Sequence, residues 1–147
     1  MQIALGCGKE KKEGFIGLDH VDFGWNKVWD AKDPLPFFDN SADFIEAHNF
    51  FEHVERKYWI QIFNECHRVL KPTGSLEIVI PNAERDIGLA MADITHVSLW
   101  VRGTLKYLTG ERPRNADYKL KHWNILLLTE DPKDKRVDLI KLTPNER

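Results

Sequence analysis

Three observations in the sequence predict an α/β fold built on an open, mostly parallel sheet. Short apolar runs end repeatedly in Gly or Asp, as at residues 3–8 and 15–19, which is typical of buried strands that open into loops. Residues 54–70 instead repeat their apolar side chains at helical spacing. Two final runs, residues 124–128 and 137–142, flank a turn-rich segment and favour a hairpin. Strands that alternate with a crossover helix favour an α/β sheet, here followed by an antiparallel hairpin.

Five strands are predicted ahead of the hairpin. They comprise residues 3–5, 15–18, 27–29, 44–47 and 76–80. Each is an apolar run bounded by turn residues, and the loops that follow parallel strands meet at one edge of the sheet.

Two helices are predicted between the strands. The helix over residues 54–70 is stopped by Pro72 and Gly74, which stand where a helix end favours them. A second helix is predicted over residues 98–108, with Ser98 as its N-cap and Gly110 as its terminator.

Length and composition indicate one domain, spanning residues 1–147, of ordinary globular type. Lys and Arg total 21 against 23 Asp and Glu, a net charge of -2, which disfavours a protein that coats nucleic acid or an anionic membrane. Two cysteines are too few for a disulfide framework and suit a reducing compartment. The sequence contains neither an apolar run of roughly 18 residues nor a secretory signal. We therefore expect a cytoplasmic protein.

Gly6-Cys7-Gly8 follows the first predicted strand directly, a pattern that lets a loop backbone approach a ligand closely. A dinucleotide-binding fingerprint would need a third glycine at position 11, which is Lys11. Its acidic residue would lie roughly 20 positions on, whereas Asp19 comes only 11 positions after Gly8. A P-loop is also excluded, because no Gly-Lys-Ser/Thr follows. The loop therefore disfavours a nicotinamide-dependent oxidoreductase.

Asp19 and Asp30 each end a predicted strand at the edge of the sheet that carries the Gly loop. One carboxylate can accept two hydrogen bonds from a ribose diol, and the second can accept one from an exocyclic amine. The alternative is that both are simple turn residues. The spacing alone leaves the two interpretations open.

A series of short motifs follows in order along roughly the first 82 residues. They are Leu5-Gly6-Cys7-Gly8, Gly17-Leu18-Asp19, Asp30-Ala31, Leu35-Pro36-Phe37, Asp39-Asn40-Ser41-Ala42-Asp43-Phe44-Ile45, Glu52-His53-Val54 and Arg68-Val69-Leu70-Lys71-Pro72-Thr73-Gly74. In their order and spacing they resemble class I S-adenosylmethionine-dependent methyltransferases, in particular the small type-11-like members. The later segment Asp93-Ile94-Thr95-His96-Val97 resembles one found in small bacterial and phage-like members.

The resemblance implies a three-layer, Rossmann-like open sheet of seven strands, mostly parallel, with a C-terminal antiparallel hairpin. It also implies that S-adenosylmethionine is the cofactor and S-adenosylhomocysteine the product. The loop Leu5-Gly6-Cys7-Gly8 would lie under the methionine part of the cofactor. Asp19 would bind the ribose hydroxyls, and Asp30 would lie at the adenine amine. Three further cofactor contacts are implied near the adenine or the transferred methyl, from Ala31, Asn49 and Phe50.

Two connections are shorter than is usual in the family. Nine residues separate Leu5 from Phe15 and seven separate Asp19 from Lys27, whereas a parallel crossover generally needs about a dozen or more. We therefore expect shortened crossovers that leave apolar sheet surface bare. The segment 83–120, or a second copy of the chain in a homodimer, would cover it, because large apolar patches are rare on monomers. The same insert is expected to form a lid over the acceptor pocket.

His53 and His96 are the candidate catalytic residues, acting as a base or as a contact to the acceptor. The alternative for each is a capping or hydrogen-bonding role within the structure. Cys7 has no matched histidine partner and is interpreted as a small loop residue rather than a nucleophile. No metal site is expected, since the sequence lacks Cys-x-x-Cys and paired-histidine motifs.

The expected acceptor is a small molecule or a glycan-like group. Amino-methylating enzymes of nucleic acids carry Asn/Asp-Pro-Pro-aromatic after the fourth strand, whereas this chain has His48-Asn49-Phe50-Phe51. Without a basic face, a nucleic-acid partner is disfavoured, and no membrane partner is expected. Two alternatives remain: a catalytically silent S-adenosylmethionine-binding module that acts through protein contacts, and, less favoured, the nicotinamide oxidoreductase.

Overall fold

The protein is described by a computed structural model over residues 1–112 and 117–146. In these residues the strands are β1 Gln2–Leu5, β2 Phe15–Asp19, β3 Lys27–Val28, β4 Ala42–His48, β5 Leu70–Pro81, β6 Trp123–Asp131 and β7 Asp134–Pro144. They form one seven-stranded sheet in the order β3-β2-β1-β4-β5-β7-β6. Strands β1 to β5 run parallel, and β7 is antiparallel to both β5 and β6. The predicted mostly parallel sheet with its C-terminal hairpin is confirmed.

The helices in the described residues are α1 Trp59–Val69, α2 Ile87–Ala92 and α3 Leu105–Leu108, with 3₁₀ turns at Phe51–His53, Arg56–Tyr58 and Arg102–Thr104. The helix predicted over residues 54–70 is therefore shorter at its start. The strand predicted at 76–80 begins earlier, because Leu70 already pairs with Ala42 ahead of a bulge. Within the described part of the chain, every helix is too short or too polar to cross a bilayer.

The helix predicted over residues 98–108 is mostly wrong, since only its last part, α3, is α-helical. The hydroxyl of Ser98 donates to the carbonyl oxygen of Val54 at 2.6 Å and so does not cap a helix. The backbone at Trp100 instead forms a parallel bridge with Asn82. A tertiary hydrogen bond has replaced the local one that the sequence suggested.

The apolar core lies on the face of the sheet that α1 covers. Alternate strand residues such as Ile45, Ile78 and Ile140 are fully buried there. They pack in one cluster with Trp59 and Phe63 from α1. Strand alternation places the side chains between these positions on the opposite, outer face.

The outer face is not the bare apolar surface that was expected, because charged side chains lie over its half-buried Phe15 and Phe44. Glu46 and His48 project from β4 on this face, and Lys12 from the β1–β2 connection pairs with Glu46. His48 Nε2 lies 2.9 Å from Glu77 Oε1 on the neighbouring strand. Glu46 is 7% exposed and His48 is half-buried, so side-chain pairing rather than a covering helix closes this face of the sheet.

Loops take the place of helices in the two short connections, as predicted. Trp25, from the β2–β3 connection, packs on the outer face at Gly17, where a Cβ atom would lie 2.6 Å from the indole. Its Nε1 donates to the carbonyl oxygen of Gly8 at 3.1 Å. One indole thus bridges both connections over β2.

The described part of the 83–120 segment packs on the α1 face, so it does not cover the outer face as expected. Asp138, which shares a sheet face with buried Ile140, is itself fully buried. Its carboxylate accepts hydrogen bonds from Asn82 Nδ2 at 2.9 Å, Trp100 Nε1 at 3.0 Å and Arg102 Nη2 at 2.8 Å. A buried charge that is fully hydrogen-bonded fixes the insert to β7.

Candidate functional site

A cavity of about 380 Å³ opens beyond the carboxyl ends of β1, β2 and β4. Its position is where open α/β sheets bind ligands, and its size suits a small molecule. The predicted residues that line it are Gly6, Asp19, Asp30, Ala31, Asn49, Phe50 and His53. The sequence analysis did not select six others, His20, Trp29, Lys32, Val54, Glu55 and Tyr58.

The glycine loop turns sharply after β1. Gly6 and Gly8 have φ angles of 61° and 67°, in the left-handed region that side chains with a Cβ disfavour. A Cβ atom on Gly6 would lie 2.7 Å from Cδ2 of Phe50, whereas one on Gly8 would meet nothing within 4 Å. Gly6 is therefore needed for a close approach to the cavity wall, and Gly8 for its backbone conformation alone.

Asp19 holds this loop while facing the cavity. Its Oδ2 accepts a hydrogen bond from the backbone N–H of Gly8 at 3.0 Å, and its Oδ1 accepts one from Val21 N–H at 3.1 Å. His20 Nδ1 lies 3.2 Å from the same Oδ1. An ionised carboxylate offers about four acceptor positions. Asp19 therefore keeps acceptor capacity for a ligand.

Asp30 follows β3 across the cavity and is exposed to solvent. Its Oδ1 accepts a hydrogen bond from the backbone N–H of Lys32 at 2.9 Å, which closes an Asx turn around Ala31. Both interpretations from the sequence therefore apply to Asp30: it is a turn residue, and it also lines the cavity.

An aromatic wall closes the inner side of the cavity. Phe50 is 8% exposed, and its ring centroid lies 6.2 Å from that of Trp29 and 5.3 Å from that of Phe51. Asn49, which precedes it, has a φ of 51°, a conformation that Asn adopts more readily than most residues. This turn at the end of β4 directs the chain from the sheet into the wall.

Glu52 stands behind this wall and was not selected from the sequence. Its side chain is 3% exposed, and Oε2 has no hydrogen-bond partner among the described residues. Burial raises the pKa of its carboxyl group to about 7. Its apolar neighbours in sequence, Phe51 and Val54, are the one signal of burial that the sequence carried.

His53 and His96 meet beside Glu52. Their rings are 4.8 Å apart between centroids, at an angle of 76°. One donor atom from each ring and one oxygen of Glu52 all lie within 4.8 Å of one another. His53 lines the cavity and His96 does not. The structure thus brings together the two candidate histidines and adds a buried carboxylate.

Three predicted loop residues do not line the cavity. Leu5 is buried in the core, and Gly8 is engaged with Asp19. The Cys7 side chain points toward Gly17, where a Cβ atom would lie 2.7 Å from its sulfur. Burial, with a smaller effect of the Asp19 charge, raises the pKa of the Cys7 thiol to about 11, in keeping with an unreactive cysteine.

Residues 5–78 match the family model described as a methyltransferase domain. The match spans half of the chain, and the chain belongs to this family. It is an S-adenosylmethionine-dependent methyltransferase with a Rossmann-like fold.

Several solved structures are similar to the chain. The PH0226 protein from Pyrococcus horikoshii OT3 is 17% identical, with a TM-score of 0.70 over 98% of this chain and 81% of that one. A SAM-dependent methyltransferase from Archaeoglobus fulgidus is 17% identical, with a TM-score of 0.67 over 97% and 85%. One from Methanosarcina mazei is 20% identical, with a TM-score of 0.62 over 97% and 91%. At these identities the likeness is one of fold. No curated protein sequence matches the chain.

Proposed function

We propose that this methyltransferase acts on a small-molecule or glycan-like acceptor. One observation carries the proposal: a single cavity runs from the strand-end carboxylates Asp19 and Asp30 to His53. The cavity has space for a small ligand at about 380 Å³. The net charge of -2 provides no general attraction for nucleic acid.

The residues present fit S-adenosylmethionine at one end of this cavity. Asp19 retains acceptor positions for ribose hydroxyls, and Asp30 is an exposed acceptor for the adenine amine. The left-handed turn at Gly6 brings the loop backbone beside Phe50, where a larger residue would clash. We assign cofactor binding to these residues together with Leu5, Cys7, Gly8, Ala31 and Asn49, the first three through the backbone of the loop.

His53 is the proposed contact for the acceptor. S-adenosylmethionine, when bound, supplies a methyl carbon made electrophilic by the sulfonium sulfur. The chain's task is then to position the acceptor and to receive its polar hydrogen. The Thr95 hydroxyl donates to Asp93 Oδ1 at 2.6 Å, so at Oγ1 it can only accept from His53 Nδ1, 3.0 Å away. In its neutral form His53 therefore presents the lone pair of Nε2, and the ring of His96 packs against it.

The insert of residues 83–120 is proposed as the lid of the acceptor pocket. In its described part, the backbone N–H of Val97 donates to the carbonyl oxygen of Glu52 at 2.8 Å. The same stretch of chain, just before Val97, places His96 beside His53. The described residues of the segment do not line the cavity themselves, so the support for a lid is that they pack against His53, which does.

We further propose that the chain forms a homodimer through the outer edge of β6, the last strand of the described sheet. Ile125, Leu126 and Leu127 are 40%, 55% and 42% exposed there. Antiparallel pairing of two copies about Leu126 would place Lys121 of one copy opposite the partner's Asp131, a favourable charge pair. Leu126→Lys should then convert a dimer into a monomer in light-scattering chromatography; a wild-type monomer at high concentration refutes the interface.

The compartment proposed is the cytoplasm. Cys7 and Cys66 are both free thiols, and Cys66 is buried. Unpaired cysteines suit a reducing environment. Fractionation of the native host's cells, probed with an antibody, tests this assignment.

Calorimetry with S-adenosylmethionine, S-adenosylhomocysteine and NAD tests the cofactor site. We expect saturable binding of both sulfur nucleosides and none of NAD. Asp19→Ala should weaken cofactor binding by about 1–3 kcal/mol, because the ribose hydroxyls lose a charged acceptor. Asp33→Ala, an exposed carboxylate outside the cavity, serves as the matched control. Unchanged affinity in folded Asp19→Ala would sink the assignment.

Release of S-adenosylhomocysteine across a panel of hydroxyl, amine and carboxylate acceptors, free and in glycans, tests the acceptor class. Turnover limited to nucleic acid or to intact proteins would refute the proposed class. Tight cofactor binding without turnover on any acceptor would instead favour the catalytically silent module. The reason to consider that alternative is that loops replace two helices in the first half of the sheet.

A further inference from the structure

Glu52, His53 and His96 bring together one carboxylate and two imidazoles that could serve as metal ligands. One nitrogen from each histidine and one carboxylate oxygen lie within 4.8 Å of one another. Zinc bonds of about 2.0–2.1 Å place tetrahedral ligand atoms about 3.3 Å apart, so each atom would need to move by about 0.8 Å or less. His53 is exposed, so its ring has room for its share of that movement.

The buried carboxylate lacks the partner that its location calls for. Glu52 is 3% exposed, and its Oε2 receives no hydrogen bond from the described residues. Leaving such an oxygen unsatisfied is costly. A second carboxylate is nearby, with Asp93 Oδ2 3.7 Å from His96 Nε2. A cation is the ligand that two carboxylates and two imidazoles favour.

The hydrogen bonds around the two rings orient them as metal-binding imidazoles are oriented. His96 Nδ1 lies 2.6 Å from the carbonyl oxygen of Ala90, which can only accept, so Nδ1 carries the proton. His53 Nδ1 carries its proton for the same reason, since it donates to Thr95 Oγ1. In the neutral form of each ring, the lone pair therefore lies on Nε2, where it can bind another group.

We propose that Glu52, His53 and His96 bind one divalent cation of the zinc type. Two imidazoles and a carboxylate suit zinc and its first-row neighbours, whereas magnesium and calcium favour all-oxygen sites. Three protein ligands leave a fourth position open, as in catalytic rather than structural zinc sites.

The open position borders the cavity, because His53 is the ligand that lines it. An acceptor oxygen or sulfur could occupy that position, with its pKa lowered by the cation. With the cation bound, the Nε2 lone pair of His53 is a metal ligand, so His53 then holds the cation and does not itself receive the acceptor's proton. This role in acceptor binding rests on the proposed function; the cation site itself does not.

Zinc binding to the full chain tests the site without reference to activity. The protein is freed of metal with a chelator, then titrated with Zn²⁺ against a chromophoric competitor, and with Co²⁺ by visible absorption. We expect one equivalent of Zn²⁺ and the intense visible bands of four-coordinate Co²⁺. Glu52→Gln, His53→Gln and His96→Gln should each weaken Zn²⁺ binding at least tenfold. Thr95→Val, which removes the hydroxyl that orients His53, should weaken it about tenfold.

His48→Gln is the matched control, because His48 lies on the outer face with Glu77. It should bind Zn²⁺ as the wild type does. S-adenosylmethionine calorimetry on each variant verifies folding and separates the two proposals. Cofactor binding without stoichiometric Zn²⁺ binding overturns the cation site and leaves the cofactor site standing. Equal Zn²⁺ affinity in the wild type and the three ligand variants also overturns it. Zn²⁺ binding without cofactor binding supports the cation site and refutes the cofactor site.

Discussion

Glu52→Gln should stabilise the metal-free protein at alkaline pH and have almost no effect in acid. Burial raises the pKa of this carboxyl group from an ordinary value of 4.5 to about 7 in the folded chain. Between these values the unfolded chain releases its proton while the folded chain retains it. Folding stability therefore falls as the pH rises from 4.5 to 7 and stays lower above that range.

The magnitude follows from the two pKa values. Each unit of pKa difference is worth about 1.36 kcal/mol. The wild-type carboxyl group therefore lowers the free energy of unfolding by up to about 3 kcal/mol at pH 8 and by close to nothing at pH 4. Glutamine keeps the shape and cannot ionise, so it removes this cost. Its amide remains poorly hydrogen-bonded, which makes about 3 kcal/mol the upper bound of the gain.

Urea unfolding, followed by tryptophan fluorescence in the presence of a chelator, measures this effect. Glu55→Gln, an exposed neighbour paired with Lys57, should leave the free energy of unfolding unchanged at both pH values. The reasoning fails if Glu52→Gln destabilises the protein at pH 8, or if its effect is the same at pH 4 and pH 8.

Two further predictions concern the loop and the insert. Gly6→Ala should reduce cofactor affinity more than tenfold in calorimetry, because the new Cβ atom would lie 2.7 Å from Phe50. Gly8→Ala introduces the same backbone strain, but its Cβ atom would meet nothing within 4 Å, so its loss of affinity should be clearly smaller. Asp138→Ala should lower the free energy of unfolding by about 3 kcal/mol, because buried donors lose their acceptor. Asp134→Ala, which removes a surface salt bridge with Arg136, should leave the urea midpoint unchanged. Equal midpoints for the two variants would contradict the role given to Asp138.

The strands were predictable because the signal for each one lies within its own short segment of sequence. An apolar run that ends in Gly or Asp, such as residues 3–8, indicates a buried strand whatever it packs against. The final hairpin was predictable in the same way, from two apolar runs that flank a turn-rich segment. The outer face was predictable in principle, since Glu46 and His48 alternate with Ile45 and Ala47. The expectation of apolar surface came from the missing helices rather than from this alternation.

The remaining errors come from tertiary contacts. Ser98 looked like a helix cap, but its hydroxyl bonds to Val54, 44 positions away in sequence. Cavity-lining residues such as Trp29 and Tyr58 could not be told from core aromatics by their spacing. Glu52 gave no chemical signal, because only the fold shows that its Oε2 receives no hydrogen bond from the described residues.

The missing helices also shape the order in which the sheet can assemble. Gln2 pairs with Phe15, thirteen positions away, whereas a strand–helix–strand unit generally spans about 30 residues or more. Closing the shorter loop costs about 0.7 kcal/mol less conformational entropy. Parallel pairing is ordinarily slow because its partners are distant in sequence. Here β1 and β2 can meet early, so the ligand-binding edge of the sheet can form before the C-terminal hairpin joins it.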